Sequence, residues 1–235
     1  MITPKEAGGD PAPGTGAGNR TLDPELVATA RRRAQAVLAG HSGDIGALRR
    51  FLADDNETVR ASAYAALAAL EAAGAGVAMQ SDGAAASTDP SPVVRRRAAE
   101  VAQRLPGVDL LVLLADDDHL VCEAAAFALG EVNESRADAP AAVIDQLCVV
   151  ARSHTDPLCR ESAVAALGSI GDPRGLATIL DALADRPAIR RRAVIALAPF
   201  EGDAVSAALE SSLSDRDWQV RQVAEDLLGH RPAGD

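Results

Sequence analysis

Alanine recurs at one offset in six successive windows of this chain, and that recurrence limits the fold more than any other feature of the sequence. With Arg60 of "DDNETVRASAYAALAAL" as position zero, the equivalent positions are Arg95, Cys122, Arg160, Arg190 and Arg221. The spacings are 35, 27, 38, 30 and 31 residues, a mean of about 32 that lies near the periods of helical repeats. Three residues on stand Ala63, Ala98, Ala125, Ala163, Ala193 and Ala224. One residue before stand Val59, Val94, Val121, Cys159, Ile189 and Val220, and seven on stand Leu67, Ala102, Leu129, Leu167, Leu197 and Leu228. Offsets −1, +3 and +7 share one face of an α-helix, so each window predicts a helix with a narrow apolar stripe. A single such unit cannot bury its stripe, and stacking units can.

Helix starts fall in the same frame. Offset −4 holds Asn56, Ser91, Asp118, Asp156 and Asp217, all good N-cap types, with Arg186 the exception. Offset −3 holds Pro92, Pro157 and Pro187, where a missing N–H costs nothing. A second amphipathic segment precedes most of these helices: 44–53, 107–115, 140–152, 173–183 and 203–213. The repeat is therefore helix–turn–helix, and the chain is expected to be all-α. Residues 21–231 are expected to form one solenoid, with 21–40 a capping helix that starts at Asp23 and Pro24. The segment 74–91, rich in Gly and Ser, predicts a degraded repeat helix or a mobile loop. The Gly- and Pro-rich residues 1–20 read as a disordered tail and 232–235 as a frayed end.

Composition agrees with close-packed helices. Aromatics are 2% of residues, which suits a core of Ala, Leu and Val and argues against a β-sandwich or barrel. The net charge of −11 disfavours nucleic acid, whose binding is dominated by neutralised phosphates. Lys5 is the only lysine, so 22 of 23 basic residues are arginine, a residue suited to bidentate pairing with carboxylates. Three cysteines without a C-x-x-C form neither a disulfide framework nor a zinc knuckle, and they fit a reducing, cytoplasmic setting. No apolar run is long enough for a membrane span, and residues 1–20 lack the apolar stretch of a secretory leader, so none is expected.

The stretches "DNETVRASAYAAL", "DPSPVVRRRAAEVA", "DPLCRESAVAALGSIGDPRGLATIL" and "DRDWQVRQVAEDLLG" resemble HEAT repeats, including the bacterial HEAT-like repeats first named for phycobilisome lyases. The resemblance covers about residues 40–230. It implies a right-handed, armadillo-type α-superhelix of about six repeats, with the second helices on the concave side. It also implies a ladder in which the position-zero arginine pairs with a turn aspartate. Asp54, Asp89, Asp116 and Asp215 lie six residues before Arg60, Arg95, Cys122 and Arg221. For Arg160 and Arg190 the nearest preceding acids are Asp156 and Asp185, and Cys122 breaks the ladder by replacing an arginine.

With the stripe buried, offsets +1 and +2 are expected to face the groove. They supply Arg96, Arg97, Glu123, Glu161, Arg191 and Arg192 as candidate partner-binding residues. Trp218, at the first position of the last second helix, is a candidate partner anchor, and Tyr64 and Phe127 are expected to surface nearby. No catalytic residue, metal site or cofactor is assigned. The four histidines lack the His-Glu pairs with which the deoxyhypusine hydroxylase branch holds iron, and His119 and His154 are expected to face solvent. Cys148 and Cys159 read as buried packing thiols, and Cys122 as the more accessible one. The expected function is a non-catalytic protein–protein adaptor or scaffold. The alternatives are a lyase-type subunit acting on a protein-bound tetrapyrrole, which the resemblance suggests and no motif supports, and nucleic-acid binding, which the charge disfavours.

Overall fold

The computed structural model describes residues 23–74, 76, 80–133 and 139–229. The tail expected over 1–20 and the end over 232–235 lie outside the described residues. Thirteen α-helices and no strand occur among the described residues. The first is α1 (Pro24–Ser42), with Asp23 as N-cap and Pro24 in its first turn. Six pairs follow: α2 (Ile45–Leu52) with α3 (Glu57–Ala72), α4 (Gln80–Ser87) with α5 (Pro92–Glu100), and α6 (Leu110–Leu114) with α7 (His119–Val132). Next come α8 (Ala141–Ser153) with α9 (Pro157–Ile170), α10 (Leu176–Asp181) with α11 (Pro187–Ala196), and α12 (Asp203–Ser212) with α13 (Trp218–Gly229). Each second helix packs on the second helix of the next pair, and α1 joins this row by packing on α3. The result is a helical-repeat solenoid.

The caps carry the local logic. Asn56, Ser91, Asp118, Asp156 and Asp217 each accept the N–H of the residue two on, which satisfies a donor that the first turn cannot. Arg186 makes no such bond. All six alanines at +3 are fully buried, and the −1 row is no more than 1% exposed. Offset +4 joins them through Ala99, Ala126, Val164 and Val194. Tyr64 sits at the same offset and is buried, contrary to the expectation that it would surface. On a 3.6-residue helix +4 lies beside +3, facing the neighbouring second helix.

Small residues set the spacing of the inner row. At offset +8 Gly130 faces Ala166 and Gly168 faces Ala196, so a side-chain carbon on either glycine would stand 3.0 or 2.6 Å from the opposing Cα. Gly40 meets Ala66 in the same way, with its added carbon 2.8 Å from the Ala66 Cβ. Gly40 lies eight residues after Arg32, so α1 occupies the register of a second helix.

The segment expected over 74–91 as a degraded helix or mobile loop forms α4 over 80–87. Its glycine and serine, weak helix formers, make the contacts. Gly83 lies against the backbone of Pro106 to Val108, where a side chain would overlap. Ser87 accepts the Asp109 N–H at 2.9 Å.

Gly168→Ala is expected to destabilise the fold by ~1–3 kcal/mol through overpacking. Gly46→Ala, where an added carbon would make only ordinary contact with the Asp44 carboxylate at 3.5 Å, is expected to stabilise it by about 0.4–1 kcal/mol. Urea denaturation of the two variants beside the parent measures both changes.

Candidate interaction surface

The position-zero arginines span two repeats at once. Arg60 donates from Nε and Nη2 to both carboxylate oxygens of Asp89, at 2.9 and 2.8 Å, and from Nη1 to the carbonyls of Asp54 and Asp55. Arg95 does the same with the Asp116 carboxylate and the Asp89 and Pro90 carbonyls. Arg160 grips Asp185, and Arg190 grips Asp215. At the start of the row Arg32 donates to Asp54 at 3.0 Å, and at its end Arg221, among the described residues, reaches only the Asp215 carbonyl. The carboxylate partner therefore belongs to the next repeat. The pairs read from the sequence, Asp54 with Arg60, Asp89 with Arg95 and Asp215 with Arg221, touch through the aspartate's carbonyl oxygen. A side chain running off a second helix passes its own turn and ends at the turn stacked above it.

This setting shifts the carboxyls. The Arg160 guanidinium holds Asp185 below its ordinary 3.8, and Arg190 does so for Asp215. Burial pushes Asp116 upward, but the Arg95 guanidinium and the Asp118 N–H outweigh it, so this carboxyl also ends lower. The guanidiniums of Arg60, Arg95, Arg160 and Arg190 are raised by the same hydrogen bonds.

With position zero and the stripe engaged, the remaining face carries the candidate residues. Arg96 and Arg97 are exposed and converge on Glu100 of their own helix, at 3.0 and 2.6 Å. Arg192 crosses to Glu161 of the preceding repeat at 3.4 Å, and Arg191 donates to Gln219 of the following one at 2.7 Å. Glu123 is half-buried and lines a cleft of about 250 Å³ with Arg96, Glu100, Phe127 and Glu131. A second cleft of about 290 Å³, beside Val93, shares Arg96 and Arg97. A third of about 570 Å³ runs from Val37 and Ser62 to Arg97. Trp218 stands at the start of α13, 64% exposed.

Phe127 is 61% exposed, as expected, and it belongs to a row that offsets +1 and +2 do not reveal. At +5, Val37 and Ile195 are exposed at 42% and 41%, in line with Phe127. Extending the frame by one turn would have found them. Cys148 and Cys159 are buried as expected. Cys122 is fully buried rather than accessible, because position zero points between repeats. His119 is exposed, whereas His154 is half-buried.

The model of HEAT repeats matches residues 109–198 and 144–229, more than half of the chain. The chain belongs to the HEAT-repeat family. Among solved structures, YibA of Escherichia coli is similar with a TM-score of 0.58 at 16% identity, over 89% of this chain and 76% of that one. An engineered protein is similar with a TM-score of 0.57 at 20% identity, over 79% of this chain and 95% of that one. Both likenesses concern the fold. No curated protein sequence matches. The HEAT-repeat arginine ladder and stacked second helices of this chain are thus the frame on which its open face is mounted. No helix among the described residues is long and apolar enough to cross a membrane.

The ladder predicts an acid limit. Asp116, Asp185 and Asp215 hold protons less readily folded than unfolded, so their contribution is complete above 3.8 and is lost as pH falls through the depressed folded values. Urea denaturation is expected to show stability falling between about pH 5 and pH 2. Asp185→Asn is expected to be less stable at neutral pH and to show a shallower fall.

Proposed function

We propose that this chain is a non-catalytic interaction scaffold that takes a segment of a partner protein along its row of second helices. One observation carries the reading. Exposed apolar side chains at +5 (Val37, Phe127, Ile195) accompany charged side chains at +1 and +2, and Val37 and Phe127 line clefts between successive helices. Solenoids of this family use such faces for extended partners. The charges run basic at Arg96 and Arg97, acidic at Glu123 and Glu161, and basic again at Arg191 and Arg192. That order favours a partner segment with the complementary order, by steering and by register. Trp218 supplies an aromatic anchor at the end of the row. The three unpaired cysteines suit a reducing, cytoplasmic setting.

The test is affinity capture from the native host with mass spectrometry. Replacing Arg96, Arg97, Arg191 and Arg192 by Ser together with Phe127→Ser is expected to cut partner recovery by at least about tenfold, with the helical circular dichroism unchanged. Recovery equal to that of the parent chain would show that the partner binds elsewhere.

A further inference from the structure

The ladder skips one rung, and both partners of that rung are replaced together. Where a guanidinium would stand, α7 carries Cys122; where the next turn would offer an aspartate, it carries His154. His154 keeps the rest of the turn's role. Its carbonyl accepts from Arg160 at 2.8 Å, and its ring Nδ1 accepts the Asp156 N–H at 3.1 Å, as Asp116 and Asp215 accept the N–H two residues on. A third group comes from the core stripe, where other repeats place Val or Ile and this one places Cys159. The ligand atoms of Cys122, His154 and Cys159 all lie within 4.8 Å of one another.

We propose that Cys122, His154 and Cys159 bind one zinc ion in place of the missing rung, with the fourth position open to the cleft beside α8. Two thiolates and an imidazole form a donor set suited to this ion and poorly suited to calcium or magnesium. Zinc–sulfur bonds near 2.3 Å and zinc–nitrogen bonds near 2.0 Å are reached when the separations between the ligand atoms shrink by about 1 Å. The cleft, about 750 Å³, is lined by His154, Asp116, Gln146 and Val150 and brings solvent to the site.

The charge balance favours the ion. Both thiols are buried, and zinc takes them as thiolates, so each proton must leave as the ion enters. Binding releases these two protons to solvent, and the two thiolates cancel the ion's two charges. The buried site ends with no net charge, which avoids the cost of an isolated buried ion. Two hydrogen bonds are exchanged: the Cys159 thiol leaves the His119 carbonyl, 3.2 Å away, and the imidazole gives up the Asp156 N–H. The arrangement does for repeats three and four what Arg–Asp pairs do for the others, clamping a second helix to the next turn.

The experiment uses the full chain, reduced and stripped with chelator, titrated with Co²⁺ and then Zn²⁺. One Co²⁺ per chain is expected, with a sulfur-to-cobalt charge-transfer band that Zn²⁺ abolishes, and Zn²⁺ is expected to raise the melting temperature. The double variant Cys122→Arg with His154→Asp writes in the missing rung, so it is expected to fold, to show no band and to bind Zn²⁺ more than about 100-fold more weakly. Cys159→Val, matching the residue type of the other repeats, is expected to fold and lose the band. Absence of band and melting shift in the parent chain would overturn the proposal. So would a band undiminished in the double variant, or a Cys122–Cys159 disulfide formed in preference to metal binding.

Discussion

The guanidinium of a position-zero arginine is the joint on which this molecule depends. It is planar and offers donors in a fixed fork, so it can hold two carboxylate oxygens on one edge and backbone carbonyls on another. Arg60, Arg95, Arg160 and Arg190 use the first edge for the turn of the next repeat. They use the second for the turn of their own. A lysine at these positions would supply the charge and lose the fork. Each joint also fixes its aspartate, which caps the turn that the following helix begins from. Helix start, turn and stacking are thereby secured by one side chain.

That joint governs what is left for a partner. Offsets −1, +3, +4 and +7 are spent on the core, position zero on the ladder, and +8 on close approach wherever it is glycine. Offsets +1, +2 and +5 remain. A surface restricted to three offsets per helix and repeated along a row is a surface for an extended ligand, and the mix of Arg, Glu, Phe and Ile upon it is compatible with a protein segment.

Much of this was legible in the chain. The six alanines at +3 gave the repeat and the class of fold, and Asn56, Ser91, Pro92, Asp118, Asp156 and Pro157 gave the helix starts, because stripes and caps are local. The rungs were half legible. Spacing put Asp54 beside Arg60, but the direction in which a side chain leaves its helix selected Asp89, and that is a property of stacking. Helix α4 was legible only as one of two alternatives, helix or loop, because Gly83 and Ser87 act through contact with a distant backbone. Cys122, His154 and Cys159 were hidden for a similar reason: the thiol of one repeat meets the turn of the next across more than thirty residues, and no short motif records it.

The arginine joins repeat to repeat more than it braces its own turn. A pair of double-mutant cycles by chemical denaturation tests this directly, using Arg60→Met with Asp89→Asn and Arg60→Met with Asp54→Asn. A coupling of about 1.5–3 kcal/mol is expected for Arg60 with Asp89, as for hydrogen bonds to a charged group, and a few tenths at most for Arg60 with Asp54. A larger coupling to Asp54 than to Asp89 would contradict it.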